Sequence, residues 1–430
     1  MAHVSTDSLL DSYVRSERSS AQLALEEHCN ALVAEGRSVF RLGVGQSPFP
    51  VPPSIVAALR AHAEDKSYAP ARGLYELRRA VAHYAERTVG IDRTLEDVLV
   101  GPGVKALAFL LRLAYSGEIV GPTPGWPPHS AHSLLLGRSI IALPTKRKEG
   151  WMLTAEGLEA FCARAPNHPR IVTLGYPGNP TGTTYKVEQL KALARVAREH
   201  EVILLSDEVY GELHHKGQHV SVARYFPEGT IIATGLSKWC GAEGWRLGAY
   251  IFPERLHWLL DAMALLAGEI FTATSTPVQY AAAQAFEGSP ELESYLHGVR
   301  RILSALGRWC ARQLRGAGLH CAQPTGGFYL YPDFGPLRER LAGRGISTAG
   351  QLCTAILEAT GVALLPGSAF GSEPSELTAR LAYVDFEGAR ALEAVDVIPL
   401  EQPLDATFLK RHCRRVHDAT LALVAWLAQP

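Results

Sequence analysis

Short apolar runs bounded by glycine and proline alternate along this chain with longer amphipathic stretches, the pattern of a mostly parallel sheet covered by helices. The runs expected to be strands are Asp97 to Val100, Ile171 to Leu174, Val202 to Leu205, Thr230 to Ala233 and Leu247 to Ile251. Leu74, Leu77, Val81 and Tyr84 share one helical face, as do Leu190, Leu193, Val196 and Ala197, and both stretches read as crossover helices. The segments before about Pro53 and after about Pro290 differ: they predict a helical N-terminus, a long helix through Leu303, Leu306 and Leu314, and two or three strands. The pattern therefore predicts an α/β chain, with a large unit over residues 54–290 and a smaller α+β unit assembled from 1–53 and 291–430.

Composition narrows the classes. With 430 residues, 47% of them hydrophobic and 20% charged, the chain has material for a substantial core and for more than one domain. Its net charge is -1 and neither sign forms a long run, so it lacks the basic stripe that a phosphodiester backbone requires, and no nucleic acid partner is expected. No apolar run reaches the roughly 18 residues needed to cross a bilayer, and Met1 to Ser20 is polar without a hydrophobic signal core, so a cytoplasmic protein is expected. Seven cysteines (Cys29, Cys162, Cys240, Cys310, Cys321, Cys353 and Cys413) show no CxxC pair and read as reduced thiols, mostly in the core. His129 with His132, and His214 with His215, lack a third ligand at zinc spacing, so no metal is expected.

The most informative segment is Ser237 Lys238 Trp239 Cys240 Gly241 Ala242 Glu243 Gly244 Trp245 Arg246. An amine beside a serine, with an arginine eight positions on among glycines, suits a Schiff-base lysine and a guanidinium that neutralises a phosphate, which suggests pyridoxal phosphate. Other polar clusters follow the expected strands, where an open α/β sheet places its ligand. Val202 to Leu205 runs into Ser206 Asp207 Glu208 Val209 Tyr210, where Asp207 is either an N-cap or the anion beside a protonated pyridine nitrogen. Ile171 to Leu174 opens into Gly175 Tyr176 Pro177 Gly178 Asn179 Pro180 Thr181 Gly182, where Asn179 either turns the chain or donates to a ligand oxygen. Asp97 to Val100 ends in Gly101 Pro102 Gly103 Val104 Lys105 ahead of the apolar helix Ala106 to Tyr115, an arrangement that lets backbone amides face an anion. This turn lacks the spacing of a Walker loop or a dinucleotide fingerprint.

Together these segments resemble the class I and II aminotransferases, pyridoxal-phosphate enzymes of fold type I related to aspartate aminotransferase. The resemblance runs from about Phe40 to Tyr383 and rests on Tyr68 Ala69 Pro70 Ala71 Arg72 Gly73 Leu74, Asn179 Pro180 Thr181 Gly182, Asp207 Glu208 Val209 Tyr210 and the Lys238 stretch, in order. It implies that Lys238 holds the cofactor as a Schiff base and shuttles the substrate proton, that Asp207 keeps the pyridine nitrogen protonated, and that Asn179 and Tyr210 hydrogen-bond the ring oxygen. It further implies that Arg246, Ser237 and the amides of Gly103, Val104 and Lys105 bind the phosphate, and that Trp126 stacks on the ring or else packs its loop. Arg380 would grip the substrate carboxylate with help from the Gly45 amide, and Tyr68 would reach the phosphate of a neighbouring subunit, which makes a homodimer with shared sites the expectation.

The implied activity is transfer of an amino group from an L-amino acid to a 2-oxo acid. Relatives of this fold use the same constellation for elimination, cyclisation or oxidation, and in regulators as a sensor, so those alternatives stay open here. The segment aligned with the second, dicarboxylate-binding arginine reads Glu269 Ile270 Phe271 Thr272 Ala273 Thr274, which points to a neutral substrate side chain. His129 and Tyr176 are either pocket or scaffold, and Ala391 to Thr407, with Pro399 and Pro403, departs from the family pattern as a lid, an interface element or a lengthened loop.

Overall fold

The computed structural model describes residues 21–139 and 141–429, so Met1 to Ser20 lies outside the described residues. Seven strands form the larger sheet: β1 (Val98–Gly101), β2 (Glu118–Thr123), β3 (Ala142–Pro144), β4 (Arg170–Gly175), β5 (Ile203–Asp207), β6 (Thr230–Gly235) and β7 (Gly248–Ile251). Their order is β1-β7-β6-β5-β4-β2-β3, and only β7 runs against its neighbours. All five expected strands are present within one or two residues of their expected bounds. Their near-continuous apolar runs follow from helices covering both faces of the sheet.

Strands β2 and β3 lie outside the sequence pattern. Glu118–Thr123 carries Gly121 and Pro122, which read as strand breakers, yet a Cβ on Gly121 would collide with Thr173 Oγ1 of β4, so the close pairing requires glycine there. Ala142–Pro144 is a three-residue edge strand, where a proline without an N–H is tolerated.

Helix Val187–Glu199 joins parallel strands β4 and β5 and buries Leu190, Leu193, Val196 and Ala197, as the periodicity requires. The other expected crossover differs. Tyr75–Tyr84 precedes β1 and so connects no pair of strands; it buries Leu77, Val81 and Tyr84 and packs on helix Thr276–Glu287, while Leu74 is its N-cap residue rather than part of the helix. A shared apolar face tells that a helix is covered, and the covering partner here is another helix.

A second, antiparallel sheet orders β8 (Tyr329–Leu330), β10 (Ala379–Ala382) and β9 (Leu365–Pro366) with β10 in the centre. The long helix Pro290–Gly316 starts at the Ser289 cap, whose hydroxyl accepts the Leu292 amide, and buries Leu303, Leu306 and Leu314. The segment Ala391 to Thr407 spans the end of helix Gly388–Asp396 and a connection to helix Ala406–His412. Arg301 of the long helix fastens it by donating to the carbonyls of Ile398 (3.0 Å), Pro399 (2.8 Å) and Gln402 (3.0 Å).

Candidate active site

Register brings the carboxyl ends of three strands into line, with Gly175 opposite Asp207 and Asp207 opposite Ala233. The turn after β4 therefore delivers Asn179, the end of β5 delivers Asp207 and Tyr210, and the loop after β6 delivers Ser237 and Lys238 to one edge, as open α/β sheets place their ligands.

Lys238 is four-fifths covered and donates from Nζ to the Gly45 carbonyl at 2.8 Å. Its nitrogen also lies 3.8 Å from Glu243 Oε1 and 5.9 Å from the centre of the Phe328 ring. Asp207 accepts the Val209 amide at 3.3 Å and has no ion-pair partner within 4 Å among the described residues. Burial pushes its carboxyl up to about 6, against the pull of the Val209 N–H and the Lys238 charge and with the Glu208 charge adding to the rise.

Tyr210 and Tyr329 share a 2.9 Å hydrogen bond between their hydroxyls, and burial holds the Tyr210 phenol well above its ordinary range. A Cβ at Gly45 would collide with the Tyr329 hydroxyl, so only glycine fits beside this pair. Arg380 is 3% exposed and lies over the rings of Tyr329 and Phe370, at 4.7 and 4.8 Å. Its Nη1 donates to Asn179 Oδ1 at 3.0 Å and its Nη2 to the Gly43 carbonyl at 2.7 Å, while Nε has no partner. With no carboxylate in ion-pair reach among the described residues, this guanidinium is a buried charge held only by neutral acceptors.

The turn after β1 forms the anion-facing part. Gly103 has φ +89° and caps helix Val104–Ala114 with no side chain, so the amides of Val104 and Lys105 in the first turn are open to a ligand. A Cβ at Gly103 would collide with Arg246 Nη2, and one at Gly248 would sit 2.5 Å from the Val104 nitrogen. Arg246 itself has φ +52° and donates to the Glu243 carbonyl at 2.8 Å, which turns its guanidinium over the helix start. The Lys105 side chain is exposed.

Trp126 is part-buried and meets the His129 ring edge-on at 5.2 Å. The neighbouring Gly125 amide donates to the Phe370 carbonyl at 3.0 Å, which brings this loop to the residue whose ring flanks Arg380. Arg112 holds His129 Nδ1 at 3.0 Å, and burial together with that charge pushes the His129 imidazole well below its ordinary range. Tyr68 stands on the surface at 88% exposure. Tyr176 is scaffold: its hydroxyl accepts the Val222 amide at 2.7 Å within the core. All seven cysteines are buried and unpaired, and burial pushes the Cys240 thiol up to about 12.

Sequence reasoning does not single out Glu243, Tyr329 or the partners of Glu208. Glu208 is buried and accepts from Ser206 Oγ (2.7 Å), Ser221 Oγ (2.5 Å) and His219 Nε2 (2.8 Å). Glu243 lies inside the informative lysine stretch, so its charge is visible there. Nothing in the local pattern marks Tyr329 or Ser221. Glu269 to Thr274 closes helix His257–Phe271 and carries no arginine.

The model of the family described as aminotransferase class I and II matches residues 37–392. Aspartate aminotransferase of Geobacillus stearothermophilus is 32% identical, covering 88% of this chain and 93% of that protein. Asparagine–oxo-acid transaminase of Streptococcus mutans is 28% identical, covering 90% of this chain and 95% of that protein. Among solved structures, aspartate aminotransferase from Thermus thermophilus with maleate superposes with a TM-score of 0.79 at 27% identity, over 90% of this chain and 98% of that one. On these matches and on the fold they share, the chain belongs to the class I and II aminotransferases.

Proposed function

We propose that this aminotransferase carries pyridoxal 5'-phosphate on Lys238 and moves the amino group of an L-amino acid with a neutral side chain to a 2-oxo acid. The observation that supports it is two charged groups with no ion-pair partner within 4 Å among the described residues: the part-buried Asp207 carboxyl, which the Lys238 charge pulls down only in part, and the buried Arg380 guanidinium. A protonated pyridine nitrogen is the cation that would let Asp207 ionise, and a substrate carboxylate is the anion that would pair with Arg380.

The residues present fit the cofactor. Arg246 and the open amides after Gly103 suit its phosphate, with Ser237 next to Lys238 in sequence, and Asn179 and Tyr210 offer an amide and a hydroxyl to its ring oxygen. Once bound, the group supplies an electron sink next to the substrate's α-carbon. The chain supplies the rest. Lys238 holds the cofactor and, when displaced by substrate, holds and returns the α-proton; the Gly45 carbonyl keeps its nitrogen aimed into the site. Arg380, already fixed by Asn179 and Gly43, orients the substrate so that its α-hydrogen faces Lys238, and Trp126 closes one side of the ring against water.

The neutral side chain rests on the missing arginine at 269–274, and it sets this chain apart from the relatives named for aspartate. A panel of amino donors with a fixed 2-oxo acid tests both parts: 2-oxo acid product that forms without any acceptor ends the transamination reading, and aspartate turned over as fast as neutral amino acids ends the specificity.

We further propose a homodimer in the cytoplasm. Tyr68, Trp258, Leu265 and Ile270 are exposed, at 88, 54, 68 and 51%, and such large side chains suit a covered surface. Free thiols suit a reducing compartment, and no described helix is long and apolar enough to cross a membrane. The division into units 54–290 and 1–53 with 291–430 is supported by the confinement of the larger sheet to 98–251 and of the smaller to 329–382. Mixing Lys238→Ala with Tyr68→Phe protein tests the shared sites: hybrids more active than either parent support them, and purely additive activity opposes them.

A further inference from the structure

Glu243 is a carboxylate that the proposed reaction leaves unused, and it stands beside the amine on which that reaction depends. Its Oε1 accepts the Ser47 amide at 2.5 Å and lies 3.8 Å from Lys238 Nζ. Lys238 Nζ in turn donates to the carbonyl of Gly45, two residues before Ser47. One carboxylate oxygen therefore meets both the lysine and the piece of chain on which the lysine docks. An enclosed anion is unfavourable unless a cation compensates it.

Two cations bear on Glu243, Lys238 more strongly and Arg246 more weakly. Arg246 turns its Nη1 to the Glu243 carbonyl and its Nη2 toward Gly103. Cys240 is a neutral buried thiol, and Tyr295, from the long helix, has a buried hydroxyl with no hydrogen-bond partner. On the side of Lys238 the other anionic group is Asp207, whose carboxyl burial favours keeping neutral. Burial also raises the Glu243 carboxyl while the Lys238 charge pulls it back, so the two protonation states are linked.

We propose that Glu243 is a positioning residue: it is the counter-charge of the free Lys238 ammonium and keeps that ammonium docked on Gly45 whenever it is not bonded to cofactor. The proposal rests on the assignment of Lys238 as the cofactor lysine, and it adds a determinant of how readily that amine is released for bonding.

The test uses cofactor-free, full-length protein acetylated with acetic anhydride over a pH series, with modification of the Lys238 peptide followed by mass spectrometry. Glu243→Gln keeps an oxygen for the Ser47 amide and removes only the charge. An opposite charge within about 4–6 Å shifts an ionisation by about one unit or more, so the midpoint for Lys238 should fall by about one unit and its reactivity below the midpoint should rise roughly tenfold. Glu243→Asp keeps the charge and should restore most of the shift. An unshifted midpoint in folded Glu243→Gln protein overturns the proposal. Should that variant not fold, Glu243→Ala, which also removes the charge, takes its place, and an unshifted midpoint there overturns the proposal equally. The cofactor assignment is read separately: borohydride fixing the cofactor to a different lysine removes that assignment, whereas the response of Lys238 to Glu243→Gln still decides the pairing.

Discussion

Arg380 and Asn179, 201 residues apart in the chain, meet through a 3.0 Å hydrogen bond from Nη1 to Oδ1. The bond ties the central strand of the smaller sheet to the turn after β4 of the larger one, so the cation that should receive a substrate carboxylate is set by both sheets at once.

Arg380→Lys keeps the charge and loses the planar fork. Charge-assisted hydrogen bonds contribute about 1.5–3 kcal/mol, so KM for the amino acid should rise roughly 10- to 100-fold with a smaller change in kcat. Steady-state kinetics with both substrates varied reads this split. An unchanged KM would show that the carboxylate binds elsewhere.

Gly103→Ala drives a methyl against Arg246 Nη2 at a residue with φ +89°. Either the guanidinium or the turn must shift, and both hold the proposed phosphate. The variant should lose cofactor on dialysis and bind it about tenfold or more weakly, the loss expected when one charge-assisted contact is disturbed. Fluorescence titration of cofactor-free protein measures it, and wild-type affinity would move the phosphate away from this helix start.

Asp207→Asn preserves shape and removes the anion. If the carboxylate stabilises positive charge on the ring during turnover, kcat should fall on the order of 100- to 1000-fold while KM changes little. Stopped-flow single turnovers isolate the step. A fall confined to KM would make Asp207 a cap residue of its loop.

Acid should unfold the cofactor-free protein through its histidines. Burial depresses His132, His214 and His215 to about 4, and holds His129 well below its ordinary range, from an unfolded value near 6.5. The folded chain keeps these rings neutral while the unfolded chain protonates them, so stability is present above about pH 6.5 and is lost as pH falls toward 4. Each such ring costs about 1.4 kcal/mol per pH unit across that window. Asp207 and Glu243 act in the opposite sense, because their raised carboxyls bind a proton in the folded state first, but two groups oppose four. Thermal melts from about pH 7.5 to about 4.5 should show a falling Tm; a Tm that rises on acidification would contradict the burial of these rings.

The sequence by itself determined the elements whose residues answer to local rules. Alternating apolar runs and amphipathic faces mark the helices and the five principal strands, because both faces of the sheet and one face of each helix are buried. Lys238, Asp207, Asn179 and Arg246 stand out because each follows a strand or lies in a glycine-rich stretch, whereas Arg380 is marked only by the resemblance.

Only the tertiary structure decided what lies across a gap in sequence. Gly121 and Pro122 sit inside a strand because Thr173 packs against Gly121, and helix Tyr75–Tyr84 faces another helix because of the chain's path. The Tyr210–Tyr329 bond, the docking of Lys238 on Gly45 and the Glu243–Ser47 contact join residues 119, 193 and 196 positions apart. Pairings of that range are set by how the sheets and loops close on one another, and no local periodicity records them.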